Sequence, residues 1–369
     1  MVGNQRVRKL LAAGFCAAIA FGAAPTAQAL TLPAPMSTQD TINEWNKQLQ
    51  PFGVQLPAVD PALAQAIDQS LSDAHREAER LGTQWEQQAA AVQEQVAAAV
   101  PVVEPAVPVA PTAPTAGYAV GDPAGPNYMW RNDPVSSIMA LTPGPVLHRA
   151  PGSWFNAPDV PEASKAAEAQ GKSLYGPGTP IFVAEKSMCT VTATGTDAQG
   201  RKLAITAGHC GSVGDTVISA DSWKLGPSGT VVAQGTNLDY AVIELGSNAQ
   251  LTSTYNGVTV TDHGAQAQGE ILCKQGVATG FTCGVVWANQ SAMALSQICA
   301  MRGDSGAPIL NGNKVVGLVN GGMFPDQNLA CATPLQGPLF MPTQSTDFNK
   351  VVKDLNARGG VGAGFQLTK

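Results

Sequence analysis

The sequence predicts a mainly β C-terminal half, built as antiparallel β-barrels and closed by a terminal helix, behind a helical N-terminal extension and a Pro/Ala-rich linker. Three observations carry this. Beyond about residue 173, short apolar runs at 189–193, 229–233, 239–245, 257–261 and 314–319 stand between Gly-rich turns, and many short strands at such spacing suggest barrels. Residues 60–100 are instead rich in Ala, Gln and Glu. Between these regions, 101–116 opens as Pro, Ala and Val with almost no charge, which reads as a semi-rigid extended spacer.

Taken in order, the chain begins with Arg6, Arg8 and Lys9 ahead of an apolar run from Leu10 to Ala24 and the small-residue site Ala27-Gln28-Ala29. This is the pattern of an export signal over 1–29, cut after Ala29. The run is too short and too rich in small residues to span a bilayer, so no transmembrane anchor is expected. Cys16 follows the bulky Phe15 and leaves with the leader. Loss of three basic residues and no acids takes the net charge from −6 to −9, a poor surface for nucleic acid. The 44% hydrophobic content is enough for a packed core.

The helical extension covers 30–100. Its first part, 30–59, is Pro-interrupted, with a short helix expected over 41–49. Asp60 followed by Pro61 then caps a second, long helix running to Val100. Leu63, Ile67, Leu71, Ala74, Ala78, Leu81, Trp85 and Val92 form its apolar stripe at spacings mostly of three and four. Gly82 interrupts it. Another helix, a second chain, the C-terminal body or the short segment before it could cover the stripe. Residues 117–172 hold many Pro and Gly with Tyr128, Trp130 and Trp154 and show no period, so they connect the parts, either packed on the body or loose. The body itself is 173–369, where a helix over 346–357 ends at Gly359 and Gly360.

Three motifs carry the chemistry: TAGHC ending at Cys210, NLDYAVIEL around Asp239, and GDSGAP around Ser305. A serine hydroxyl is almost inert at neutral pH. It attacks a carbonyl when an imidazole takes its proton and a carboxylate fixes the tautomer of that imidazole. His209, Asp239 and Ser305 are the candidates for these roles. Alone, GDSG can be a tight turn and the histidine a strand-end residue; the joint occurrence is what argues for a reacting set. Six cysteines remain after export, an even number that favours disulfides outside the cell. A metal site would be the alternative, but no C-x-x-C pair exists. Sequence alone does not choose among the pairings.

The order His, Asp, Ser, together with CKQGVATGFTCG at Cys273–Gly284 and VNGG at Val319–Gly322, resembles the chymotrypsin-fold serine endopeptidases of the secreted bacterial branch typified by alpha-lytic protease and the streptogrisins. The resemblance runs from about 175 to 355. It implies two barrels of the chymotrypsin type, with His209 and Asp239 on the first and Ser305 on the second, and a protein or peptide substrate with no cofactor and no metal. It implies an oxyanion hole from the amides of Gly303 and Ser305, and disulfides Cys189–Cys210, Cys273–Cys283 and Cys299–Cys331. Ala300, Asn320, Gly321 and Gly322 would line a pocket for small or medium apolar side chains. Cys299 stands where trypsin-like members place an acid.

Asp304 needs a positive partner if buried, and Lys274, where the branch has an arginine, is proposed for it; an exposed lysine is the other reading. Two residues depart from the pattern. Asn320 replaces a serine that supports the triad acid, and Ala307 replaces a glycine. A secreted serine endopeptidase, made as a zymogen or carrying a stalk, is the leading reading. The alternative is a cell-envelope binding protein on a low-activity protease fold, with the long helix as its interaction element; a third possibility makes the extension an intramolecular inhibitor or folding aid.

Overall fold

The computed structural model describes residues 37–50, positions 60–62, 64–65, 68–69, 72 and 76, and 125–369 apart from 186, 291, 325–328 and 338. The leader at 1–29, the apolar stripe from Leu63 to Val92 and the linker at 101–116 lie outside the described residues. The chain forms two compact units, 1–114 with 133–138, and 115–132 with 139–369.

In the first unit a helix spans Thr38–Leu49. It starts three residues before the expected position because Ser37 is its cap and accepts the Asp40 amide at 3.0 Å. Asp60 caps the second helix as its sequence predicts, accepting the Ala62 amide at 2.9 Å. Thr38 ties the two together, its amide and hydroxyl both donating to Asp68, at 2.7 and 2.6 Å.

The second unit holds two barrels. The strands of the first are β1 (Pro180–Val183), β2 (Ser187–Thr190), β3 (Ala193–Thr196), β4 (Lys202–Thr206), β5 (Thr216–Ser219), β6 (Gly229–Gln234) and β7 (Ala241–Leu245), in the order β3-β4-β7-β6-β5-β1-β2. The expected single strand over 189–193 is two strands. At the bend between them the Val191 amide donates to Thr179 and the Thr192 amide to Ile205, so the chain passes from one neighbour to the other. Val191 and Thr192 thereby link β2 to β3 along the chain, while the outer edge of β3 is covered by Gln366–Leu367.

The second barrel comprises β8 (Ile271–Gly276), β9 (Gly280–Gln290), β10 (Met293–Ser296), β11 (Pro308–Asn311), β12 (Lys314–Gly322) and β13 (Thr343–Asp347). Its ring β12-β11-β8-β9-β10-β13 closes by hydrogen bonds between β13 and β12. Leu272, Val286, Ile298, Ile309 and Val319 fill it. The terminal helix, Phe348–Arg358, is capped by Asp347 and ends at Gly359, whose φ of 72° suits a residue without Cβ. Its buried Phe348, Val351 and Leu355 share one apolar cluster with Ile205 and Ile243 of the first barrel and Leu318 of the second. The helix therefore braces both barrels rather than the second alone.

The boundary expected at 173 falls inside this unit. Val146–His148 pairs with Met129–Arg131, and Ser173–Tyr175 runs parallel to Ala249–Leu251.

Candidate active site

His209 sits in a short turn, Gly208–Cys210, directly after β4, and Cys210 is bonded to Cys189 at the end of β2. Asp239 stands in the connection between β6 and β7, and Ser305 just before β11. The structure brings the three together. Asp239 Oδ2 lies 2.8 Å from His209 Nδ1, and His209 Nε2 lies 2.9 Å from Ser305 Oγ. Asp239 Oδ1 accepts the backbone amide of His209 at 2.8 Å, so one carboxylate fixes both the ring and the chain that carries it. Gly208 is needed here because a Cβ would lie 2.9 Å from that carboxylate.

The electrostatics follow from these contacts. The hydrogen bond to Asp239 raises the pKa of His209 above its ordinary value, with burial opposing it. Burial pushes the Asp239 carboxyl up, but hydrogen bonds from His209 and Asn320 outweigh it and hold the group below its usual range. Asn320 takes the position expected of a serine. Its Nδ2 donates to Asp239 Oδ2 at 2.8 Å, while its Oδ1 accepts from Thr346 Oγ1 at 2.9 Å. Ala307 is fully buried and still makes both turn bonds, its amide to Asp304 and its carbonyl to Val319, so the extra methyl is accommodated.

Behind the serine, Lys274 and Asp304 are both fully buried, with Nζ 3.5 Å from Oδ2. Burial lowers the pKa of Lys274, opposed by the carboxylate beside it. Thr279, which no reading of the sequence picked out, bridges the pair: its hydroxyl accepts from Lys274 and donates to Asp304 at 2.7 Å. Asp304 also accepts the amides of Ala278 at 2.8 Å and Met301 at 3.1 Å. Gly276 packs on that carboxylate so closely that a Cβ would fall 2.1 Å from it.

These bonds shape the loop Gly303–Gly306, in which Gly303 has φ 103° and Gly306 φ 82°. Side chains struggle to adopt such angles. Among the described residues no acceptor takes the amides of Gly303 or Ser305. The loop's carbonyls are held by the first barrel: Thr190 Oγ1 donates to Gly303 at 2.9 Å, Thr192 Oγ1 to Gly306 at 2.6 Å, and the Thr190 amide to Ser305 at 2.8 Å. These threonines were invisible in the sequence, since buried hydroxyls read there as ordinary strand residues.

Beside Ser305 opens a pocket of about 250 Å³ lined by His209, Ala300, Met301, Arg302, Asn320, Gly321, Gly322 and Met341. Cys299–Cys331 ties its wall, and Cys273–Cys283 closes the β8–β9 hairpin, the pairings that the resemblance implies. Met341 lies against Gly322, where a Cβ would come 2.1 Å from its terminal methyl.

The chain is 29% identical to Streptogrisin-C of Streptomyces griseus over 135 residues, 32% of this chain and 28% of that relative. Over that stretch the chain is similar to a streptogrisin. The match spans little more than a quarter of the length of that streptogrisin. No family model matches. Among solved structures it is similar to Thermobifida fusca Protease A, at 25% identity and a TM-score of 0.42 over 53% of this chain and all of that one. It is likewise similar to Nocardiopsis Protease, at 26% identity and a TM-score of 0.41 over 50% of this chain and 97% of that one. Three disulfides suit an oxidising, extracytoplasmic setting. Among the described residues no helix is long and apolar enough to cross a membrane.

Proposed function

We propose that this protein is a secreted serine endopeptidase that cuts peptide bonds through an acyl-enzyme formed on Ser305. The observation that carries the proposal is the unbroken hydrogen-bonded chain from Asp239 through His209 to Ser305 at the mouth of a pocket. His209 takes the proton of Ser305 as the hydroxyl adds to the substrate carbonyl, and returns it to the leaving amine; water then repeats the sequence and frees the acid. Asp239 holds the ring and stabilises the imidazolium. The amides of Gly303 and Ser305 receive the negative charge on the carbonyl oxygen, where one lost donor costs on the order of 10²-fold or more. An extended peptide would pair with Asn320–Gly322 by strand addition.

An organophosphonate is expected to label Ser305 in the full chain, and His209→Ala to abolish the label. A protease fold serving only as a binding protein of the cell envelope would leave Ser305 unlabelled in both.

Rate and stability respond oppositely to the titration of His209. Its folded pKa lies above the ordinary value of about 6.5. Its contribution to stability is therefore present below about 6.5 and lost as pH rises through the folded value. The base works only when neutral, so kcat/KM is expected to rise across the same interval. Asn320→Ala removes a charge-assisted donor from Asp239 and is expected to lower kcat about tenfold with little change in KM. Asn320→Ser should recover part of this; unchanged kinetics in Asn320→Ala would remove Asn320 from the machinery.

Met341 narrows the pocket, which supports a preference for small or medium apolar side chains before the cut. Met341→Ala is expected to raise the ratio of kcat/KM for Phe over Ala at that position by about tenfold, measured with paired peptide substrates.

A further inference from the structure

The stretch from 139 to 160 crosses the back of the Ser305 loop. Arg149 is 1% exposed and lies 2.5 Å from Asp221, also buried; the two meet by charge rather than by an aligned hydrogen bond. Tyr128 lies against the guanidinium, 5.8 Å from its centre, and the Tyr255 hydroxyl donates to the other Asp221 oxygen. Buried Asn127 donates to Ala220 at 3.1 Å.

From this anchor the chain reaches the site at three points. Ser153 Oγ donates to the Ala278 carbonyl at 2.6 Å, and Ala278 is the residue whose amide holds Asp304. The Trp154 amide donates to Ala332 at 2.8 Å, next to the disulfide of the pocket wall. Ala150 is 3% exposed and stands in van der Waals range of the place where Gly303 lacks a side chain.

Removing this stretch would strand Asp221 as a buried unpaired carboxylate, which is strongly destabilising, and would uncover the back of Gly303. We propose that residues 139–160, with Asn127 and Tyr128, form a brace that stays with the working protein, so that any maturation cut falls before Asn127. Ser153 acts as a positioning residue for the Gly303–Ser305 amides. The positioning role rests on Ser305 being the nucleophile, whereas retention of the brace does not.

Two measurements on the full-length secreted chain test this. The intact mass and N-terminal sequence of the folded species are expected to include Asn127; a folded species that begins after Asn127 overturns the brace whether or not Ser305 reacts. Ser153→Ala is expected to slow organophosphonate labelling of Ser305 about threefold to tenfold. The thermal midpoint should also fall by about 2–6 °C, because the buried Ala278 carbonyl loses its donor, and Ser153→Thr should restore both. A role confined to stability would shift the midpoint and leave labelling of the folded protein at the parental rate, which would overturn the positioning role. Absence of labelling in the parent would instead sink the protease reading, with the brace judged on the mass alone.

Discussion

Replacing Ser305 by alanine is expected to lower kcat by about 10⁶ while leaving substrate binding largely intact, since in a well-studied serine protease loss of the nucleophile or the base costs that much. His209→Ala should cost as much, and the double variant little more than either, because the two act as one unit. The reason lies in the geometry. Nε2 is 2.9 Å from Oγ, so the imidazole is the group within reach to receive the hydroxyl proton. Turnover of peptide esters and amides by the single and double variants checks this. A Ser305→Ala variant with parental turnover would show that the hydroxyl is a bystander, and additive losses would show that the two residues do not act as one unit.

The second large effect falls on stability. Lys274→Met keeps the length of the side chain and removes its charge, leaving Asp304 fully buried beside Thr279 without its cation. Breaking one side of a buried pair costs about 3–5 kcal/mol, which for a body of this size lowers the thermal midpoint by about 10 °C. Adding Asp304→Asn should recover part of the loss. Calorimetry of the two variants is the measurement, and a Lys274→Met protein that melts and cleaves as the parent does would refute the pairing. Because the cation comes from β8, the loop before Ser305 takes its shape without a freshly cut N-terminus.

Much of this was legible in the sequence where a residue type has few other uses. The motifs TAGHC and GDSGAP place an imidazole and a hydroxyl in Gly-rich turns, and the resemblance they carry, with the segments at Cys273–Gly284 and Val319–Gly322, implies the architecture. A buried acid demands a partner, and the resemblance pointed to Lys274 for Asp304 because the branch has an arginine at that place. What escaped were contacts made by unremarkable residues across long separations. Thr190, Thr192 and Thr279 look like strand filler until the fold puts their hydroxyls on the Ser305 loop and on Asp304. The stretch 139–160 has no period because it forms little regular structure, its order coming from Arg149, Ser153 and Trp154 meeting groups 72 to 178 residues ahead. Asn320 read only as a departure from the pattern, since its bond to Asp239 depends on strand register that no local pattern encodes.

The clasp of Thr190 and Thr192 on the backbone of Gly303 and Gly306 bears on how the chain is born. Synthesis runs from the N-terminus and domains tend to fold in that order, so the early barrel can form before its late counterpart is available to grip. A half-made polypeptide holds the imidazole and the acid but no alcohol seated against them, so on the proposed reading cutting would wait for the late part of the chain that carries Ser305.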